Sequence, residues 1–217
     1  QGNTTLGFTF VISLAIALWS ANAGMKALFE AMNVAYDEAE KRSFVTLTLT
    51  SFVFTLGAIV AAILFIGLVV GLPLALDLLG IGTDTKWLVS IASYAAIFLL
   101  VSFGIAALYH WGPSRTRAKW RWITPGTVLT VVVIVVVSLL FSWYVANFGS
   151  YNATYGSLGA LIGFMTWIWI STTILIVGGE VNAEMEHQTA RDTTRAPAQP
   201  LGSRGATMAD TVGRASV

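Results

Sequence analysis

Side chains able to do chemistry are few in this sequence and widely spaced. There are two histidines, His110 and His187, and no cysteine. Metal-dependent phosphodiester cleavage needs carboxylates or histidines gathered around metal ions, and neither histidine sits in a His/Asp run. No thiolate site, disulfide or Cys nucleophile is available. No Ser/His constellation points to a lipid-cleaving enzyme, and no GxxxxGK[ST] loop is present to hold a nucleotide. The reading is a non-enzyme with no catalytic residue, no metal and no cofactor.

The remaining polar groups are notable for lying at the edges of apolar runs. Glu180 stands beside Gly178, Gly179 and Asn182, and ionisable groups at membrane depth are costly and often functional. It reads either as a solvated helix end or as a gate residue paired with Arg42 or a basic-loop arginine. Asn22, next to Ser20, is expected to face another helix, through a hydrogen bond or a ligand contact. Thr46, Thr50 and Ser51 can bond back to their own helix carbonyls. Trp167 and Trp169 fall inside an apolar run although tryptophan prefers the interfaces, so the pair is expected to pack on a neighbouring helix or to line a cavity. Tyr151 and Tyr155 fit an aromatic belt. These residues, Asn22, Arg42, Tyr151, Tyr155, Trp167, Glu180 and Asn182, are the candidates for a substrate pathway.

The elements that must position them follow from composition. Hydrophobic residues make up 56% of the 217 and charged residues 11%, against about 25% charged in a soluble domain. Lipid is therefore the main solvent, and the fold class is an all-α, polytopic transmembrane bundle. A span needs about 20 apolar residues. Five runs qualify, at about 6–23, 44–72, 87–109, 126–145 and 158–178. Met25, Leu28, Phe29, Met32, Ala35 and Tyr36 have one-face helical spacing. This predicts an amphipathic helix over 25–42, either interfacial or a cytoplasmic extension of the first span. Pro73 is expected to kink or end the second run, and 74–81 could form a re-entrant piece. Gly67 and Gly71, and Gly159 and Gly163, make two GxxxG steps suited to close helix approach or to a homo-oligomer. Residues 1–180 are thus a single transmembrane domain, and 181–217 are expected to be a partly disordered cytoplasmic tail.

Loop charge sets the expected orientation. With alternate loops on one side, that side receives Lys26, Lys41, Arg42, Arg115, Arg117, Lys119, Arg121, Arg191, Arg195, Arg204 and Arg214, and the other only Lys86. Lys and Arg concentrate in the cytoplasm, which places the C-terminus inside and the first residue outside. A further span upstream of Gln1 would resolve the latter. The loop cations Arg115, Arg117, Lys119 and Arg121, interleaved with Trp111, Trp120 and Trp122, are read as binding anionic lipid headgroups rather than nucleic acid.

Three stretches carry a family resemblance. They are Tyr151-Asn152-Ala153-Thr154-Tyr155-Gly156-Ser157-Leu158, Trp167-Ile168-Trp169-Ile170-Ser171 and Gly178-Gly179-Glu180-Val181-Asn182-Ala183. Together with Leu108-Tyr109-His110-Trp111-Gly112-Pro113, Pro125-Gly126 and Ser20-Ala21-Asn22-Ala23-Gly24, they resemble the YihY/BrkB family of bacterial inner-membrane proteins, formerly labelled ribonuclease BN. The resemblance implies six spans with both ends cytoplasmic. It also implies transport of a lipid-like or small solute, the leading expectation here. A non-transporting membrane scaffold is the alternative. A solute-sized cavity between helices would separate the two.

Overall fold

The computed structural model describes residues 2–80, 83–147, 157–195 and 197–213, with side chains described for 7–80, 86–147, 158–195 and 197–213. The described chain is helical in its apolar runs. We number the helices α1 (Gly2–Ala35), α2 (Phe44–Ile66), α3 (Leu72–Leu78), α4 (Thr83–Trp111), α5 (Trp120–Asn147), α6 (Ser157–His187) and α7 (Thr207–Asp210). Five stretches are long and apolar enough to cross a membrane: Gly7–Ala35, Phe44–Leu78, Lys86–Trp111, Trp120–Asn147 and Leu158–His187. The chain divides into two bodies, Gln1–Ala31 with Glu40–Gly104, and Met32–Ala39 with Ile105–Val217.

α1 does not stop near Ala23, and its last turn belongs to the second body. It runs on to Ala35, so the segment after Met25 is an extension of the first span and not a separate interfacial helix reaching 42. What ends it is Asp37 at φ 50°. Glu38 N–H donates to the Asn33 carbonyl at 2.8 Å and Asp37 N–H to Val34 at 3.1 Å. That is the paired closure of a Schellman motif, with Asp in the left-handed position glycine usually takes. Ser43 then caps α2, its hydroxyl accepting from Thr46 N–H at 3.3 Å. Thr50 bonds back to Thr46 and Ser51 to Thr48, as their spacing suggested. Lys26 reaches the Thr48 hydroxyl at 2.8 Å, and Phe29 meets Phe54 edge to face at 5.2 Å.

The second run is not ended by Pro73. A π turn, Gly67–Gly71, precedes it, with Leu72 N–H bonded to the Gly67 carbonyl. The wider turn makes room for a ring that would clash in a regular helix, and helix continues through Leu78, with Asp77 bonded to Lys86. A cavity of about 30 Å³ lies between this turn and α4, lined by Pro73, Ser90, Ser93 and Tyr94 among others. It has room for about two waters.

In the second body, α5 and α6 pack along each other, and α6 extends nine residues past the expected end at 178. Residues 188–195 and 197–213, read from composition as partly disordered, are instead folded. Thr193, Thr194, Ala206 and Ala209 are buried. Buried Arg204 holds the segment by donating to the carbonyls of Ala190, Arg191, Gln199 and Ala209. Asp192 accepts from Thr194 and from Gln199 N–H, and Asp210 accepts from the backbone of Arg204 and Gly205.

Burial alone would raise the Asp192 and Asp210 carboxyls. The donors around each outweigh it and hold both below the usual carboxylate range. A depressed native value contributes stability that is full above the unfolded value of about 4 and is lost as pH falls through the native one. Hydrogen exchange of 199–205, corrected for the intrinsic rate, should therefore show protection at pH 5 that collapses below pH 4. Protection unchanged down to pH 2 would contradict this.

Candidate functional site

The site lies in the second body and is built from small residues upward. Gly126 on α5 and Gly178 on α6 let the two helices approach closely. A Cβ on Gly126 would meet Asn182 at 2.5 Å, and one on Gly178 would overlap the Thr130 hydroxyl. Pro125 sits inside α5 and cannot donate to its helix ladder. The next N–H, that of Gly126, donates to Asn182 Oδ1 at 2.8 Å. Close by, the fully buried Tyr109 hydroxyl donates to the Leu175 carbonyl at 2.7 Å and pairs with Thr130 Oγ1 at 2.7 Å. One phenol thereby ties α4, α5 and α6.

One turn beyond Asn182 on the same face comes Glu186, 0% exposed. It takes Arg115, 3% exposed, in a bidentate pair of 2.7 and 2.8 Å. Thr193 donates to the same carboxylate at 3.1 Å. The Arg115 guanidinium lies 4.3 Å from the centre of the buried Tyr36 ring. Burial alone would lower the arginine's affinity for its proton, but the Glu186 carboxylate outweighs it, and Arg115 stays charged. Burial pushes the Tyr36 phenol above its usual range, Arg115 partly opposing and Glu186 reinforcing. Tyr36 is therefore a neutral hydroxyl at any physiological pH. Its oxygen and Asn182 Nδ2 face one another without completing a hydrogen bond, and each is buried without a partner. Asn33 Oδ1 receives Ser114 N–H at 2.7 Å and fixes the loop that delivers Arg115.

Of the predicted residues, only Asn182 and Arg115 meet here. Arg115 is no headgroup ligand, since its charge is spent on Glu186. The carboxylate that takes a basic-loop arginine is Glu186, not Glu180. Glu180 faces outward with Glu184, Val177, Val181 and Met185 on an open face of α6. Arg42 is held by Glu40 at 2.7 Å and lies over Phe29. Asn22 is buried in the first body, and its Oδ1 has no hydrogen-bond partner. Trp167 packs toward α5 and donates to Ser138 at 3.1 Å, while Trp169 points outward. Lys119 is drawn to the Asp192 carbonyl at 2.9 Å, whereas Arg117 and Arg121 are exposed. Tyr151 and Tyr155 lie outside the described residues. Gly67, Gly71 and Gly163 have open space where a Cβ would project, so none of them makes the close crossing; Gly126 and Gly178 do. His110 is buried between Trp120, stacked at 4.4 Å, and Trp111, edge-on at 4.7 Å. Sequence reasoning missed Glu186 because it ended the helix at 178. Carried on, the i, i+4, i+8 stripe Gly178, Asn182, Glu186 would have shown it.

Five long apolar helices define a polytopic α-helical membrane protein, whose second body carries a buried polar knot. Comparison with known proteins gives the family. The profile of the virulence factor BrkB family matches residues 1–202, and the chain belongs to that family. It is 36% identical over 189 residues to the putative ribonuclease-like protein YfkH of Bacillus subtilis, covering 83% of this chain and 67% of that one. It is 31% identical over 110 residues to a UPF0761 membrane protein of Bordetella petrii, covering 51% and 24%, and 25% identical over 188 residues to one of Idiomarina loihiensis, covering 84% and 61%. The chain thus spans from about a quarter to two thirds of the length of these relatives. No solved structure matches it.

Proposed function

We propose that the chain belongs to an inner-membrane permease for a lipid-like or amphipathic solute, with the Arg115–Glu186 knot as its cytoplasmic gate in the closed position. The observation that carries this is the buried bidentate pair flanked by two polar groups, Tyr36 Oη and Asn182 Nδ2, that have no partner. A buried ion pair adds little net stability over an apolar replacement, and each unpaired buried polar group calls for an explanation. A gate that parts and rejoins, offering its spare donors to a solute, supplies both. The crowding of Lys and Arg into alternate loops supports a cytoplasmic knot and C-terminus. With no nucleotide-binding loop in the sequence, a gradient or a partner drives the flux.

The scaffold reading rests on a different observation. The outer face of α6 and the open glycines Gly67, Gly71 and Gly163 are free to receive another helix, including a second copy of the chain. A nuclease, suggested by the name of the Bacillus relative, has less support: among the described residues no three His, Asp or Glu side chains gather to hold a metal.

Reconstitution into liposomes with a fluorescent phospholipid and a fluorescent single-chain amphiphile tests the proposal. Wild type should move at least one of them faster than protein-free vesicles, and Glu186→Gln should raise the rate. No flux above background in either protein would leave the scaffold.

A further inference from the structure

The strand-like pairing beside the knot leads to a second site, independent of any transport. Ala118 and Thr194 form an isolated antiparallel bridge. Arg195 N–H donates to the Arg117 carbonyl at 3.1 Å, and Lys119 N–H to the Thr193 carbonyl at 2.8 Å. In that register Arg117 lies directly across from Arg195. Side chains alternate along such a ribbon: Ala118 and Thr194 are buried on one face, and on the other Arg117 and Arg195 are exposed while Thr193, further along, turns in to Glu186. Two like charges face to face across a strand pair are destabilising, with Cβ atoms about 5 Å apart. Among the described residues no carboxylate pairs with either. Arg117 lies over the Trp111 ring, 6.0 Å from its centre.

Position adds to the charge. Trp111 is the last residue of α4 and Trp120 the first of α5. The cations therefore sit where two apolar helices end, with tryptophans at the level of lipid headgroups. Exposed Arg121, in the first turn of α5, adds a third positive charge.

We propose that Arg117 and Arg195, with Arg121 beside them, form a binding site for the phosphate of an anionic phospholipid headgroup, completed only when the C-terminal segment docks on the α4–α5 loop. Two guanidinium forks opposite each other suit a tetrahedral phosphate. The lipid's charge relieves the repulsion between them, so headgroup and tail hold each other in place. Two of the four loop cations expected from sequence are turned elsewhere, Arg115 to the Glu186 carboxylate and Lys119 to the Asp192 backbone carbonyl, and the missing partner comes from the tail.

The test uses the full chain in nanodiscs containing spin-labelled phosphatidylglycerol or phosphatidylcholine, with electron spin resonance giving the relative association of the two lipids. Wild type should prefer phosphatidylglycerol, and Arg117→Gln and Arg195→Gln should each cut the preference by about fivefold. Together they should bring it near that for phosphatidylcholine. Arg117→Lys/Arg195→Lys, which keeps the charge, should retain most of it. Lys41→Gln/Lys86→Gln, which removes two cations elsewhere, should leave it unchanged. The proposal is overturned by a wild type without headgroup preference, or by an equal fall in the Lys41/Lys86 control. A loss with Arg117→Gln but none with Arg195→Gln would equally overturn it, since the tail would then contribute nothing.

Discussion

Replacing Glu186 by alanine is expected to destabilise the protein by about 3–5 kcal/mol, the cost of stranding one member of a buried ion pair. Arg115 would be left 3% exposed, with its bidentate partner gone and the Tyr36 ring against it. The Thr193 hydroxyl would lose its acceptor as well. Because the cost comes from an uncompensated charge, removing both charges should be far milder. Arg115→Met/Glu186→Leu is expected to unfold close to wild type in detergent, well above Glu186→Ala. A loss under about 1 kcal/mol for Glu186→Ala would mean that water reaches the pair and that no closed knot exists.

Gly178→Ala carries the second large effect. A single added methyl group would run into the Thr130 hydroxyl and against that of Tyr109. Neither can retreat: Tyr109 is pinned to Leu175 and Thr130, and both residues are fully buried. α5 and α6 would have to separate, at a cost of about 1–3 kcal/mol for overpacking, and the Gly126–Asn182 bond would stretch with them. Gly163→Ala on the same helix is the control. Nothing lies within 4 Å of its Cβ position, so its effect should stay within about 0.5 kcal/mol. Thermal unfolding of both variants in one detergent checks the pair, and equal behaviour would contradict the crossing.

The two glycines also show what the sequence could and could not display. A GxxxG step is visible as spacing, yet Gly67, Gly71 and Gly163 face open space, while the close crossing uses Gly126 and Gly178, which belong to different helices. A helix-helix contact between remote positions leaves no spacing to read. The five apolar runs were legible because lipid demands about 20 apolar residues in each. Their ends were not. Asp37 closes α1 in a conformation usually left to glycine, and no residue announces it. α6 continues past 178 because Asn182 and Glu186, polar in composition, are buried against Gly126 and Arg115.

Arg115 and Arg117 are two residues apart in a single basic loop and read alike in sequence. One is buried on a carboxylate 71 residues away and the other exposed on a ribbon. Composition marked the tail as disordered because it is rich in Ala, Thr, Arg and Pro. Its order rests on Arg204 satisfying four carbonyls and on Asp192 and Asp210 accepting from the backbone, a contact pattern that composition does not encode.

The gate is tested most directly by thiol accessibility, for which the chain is well suited because it has no cysteine of its own. Ala183 is fully buried against Tyr36, and Ile123 on α5 is fully buried as well. Ala183→Cys should resist a membrane-impermeant maleimide in the otherwise wild-type protein and react once Glu186→Gln loosens the knot, while Ile123→Cys stays protected in both. Ala183→Cys unreactive in both backgrounds would contradict a gate and describe a permanently closed bundle; reaction of both cysteines would mean that the variant had simply unfolded.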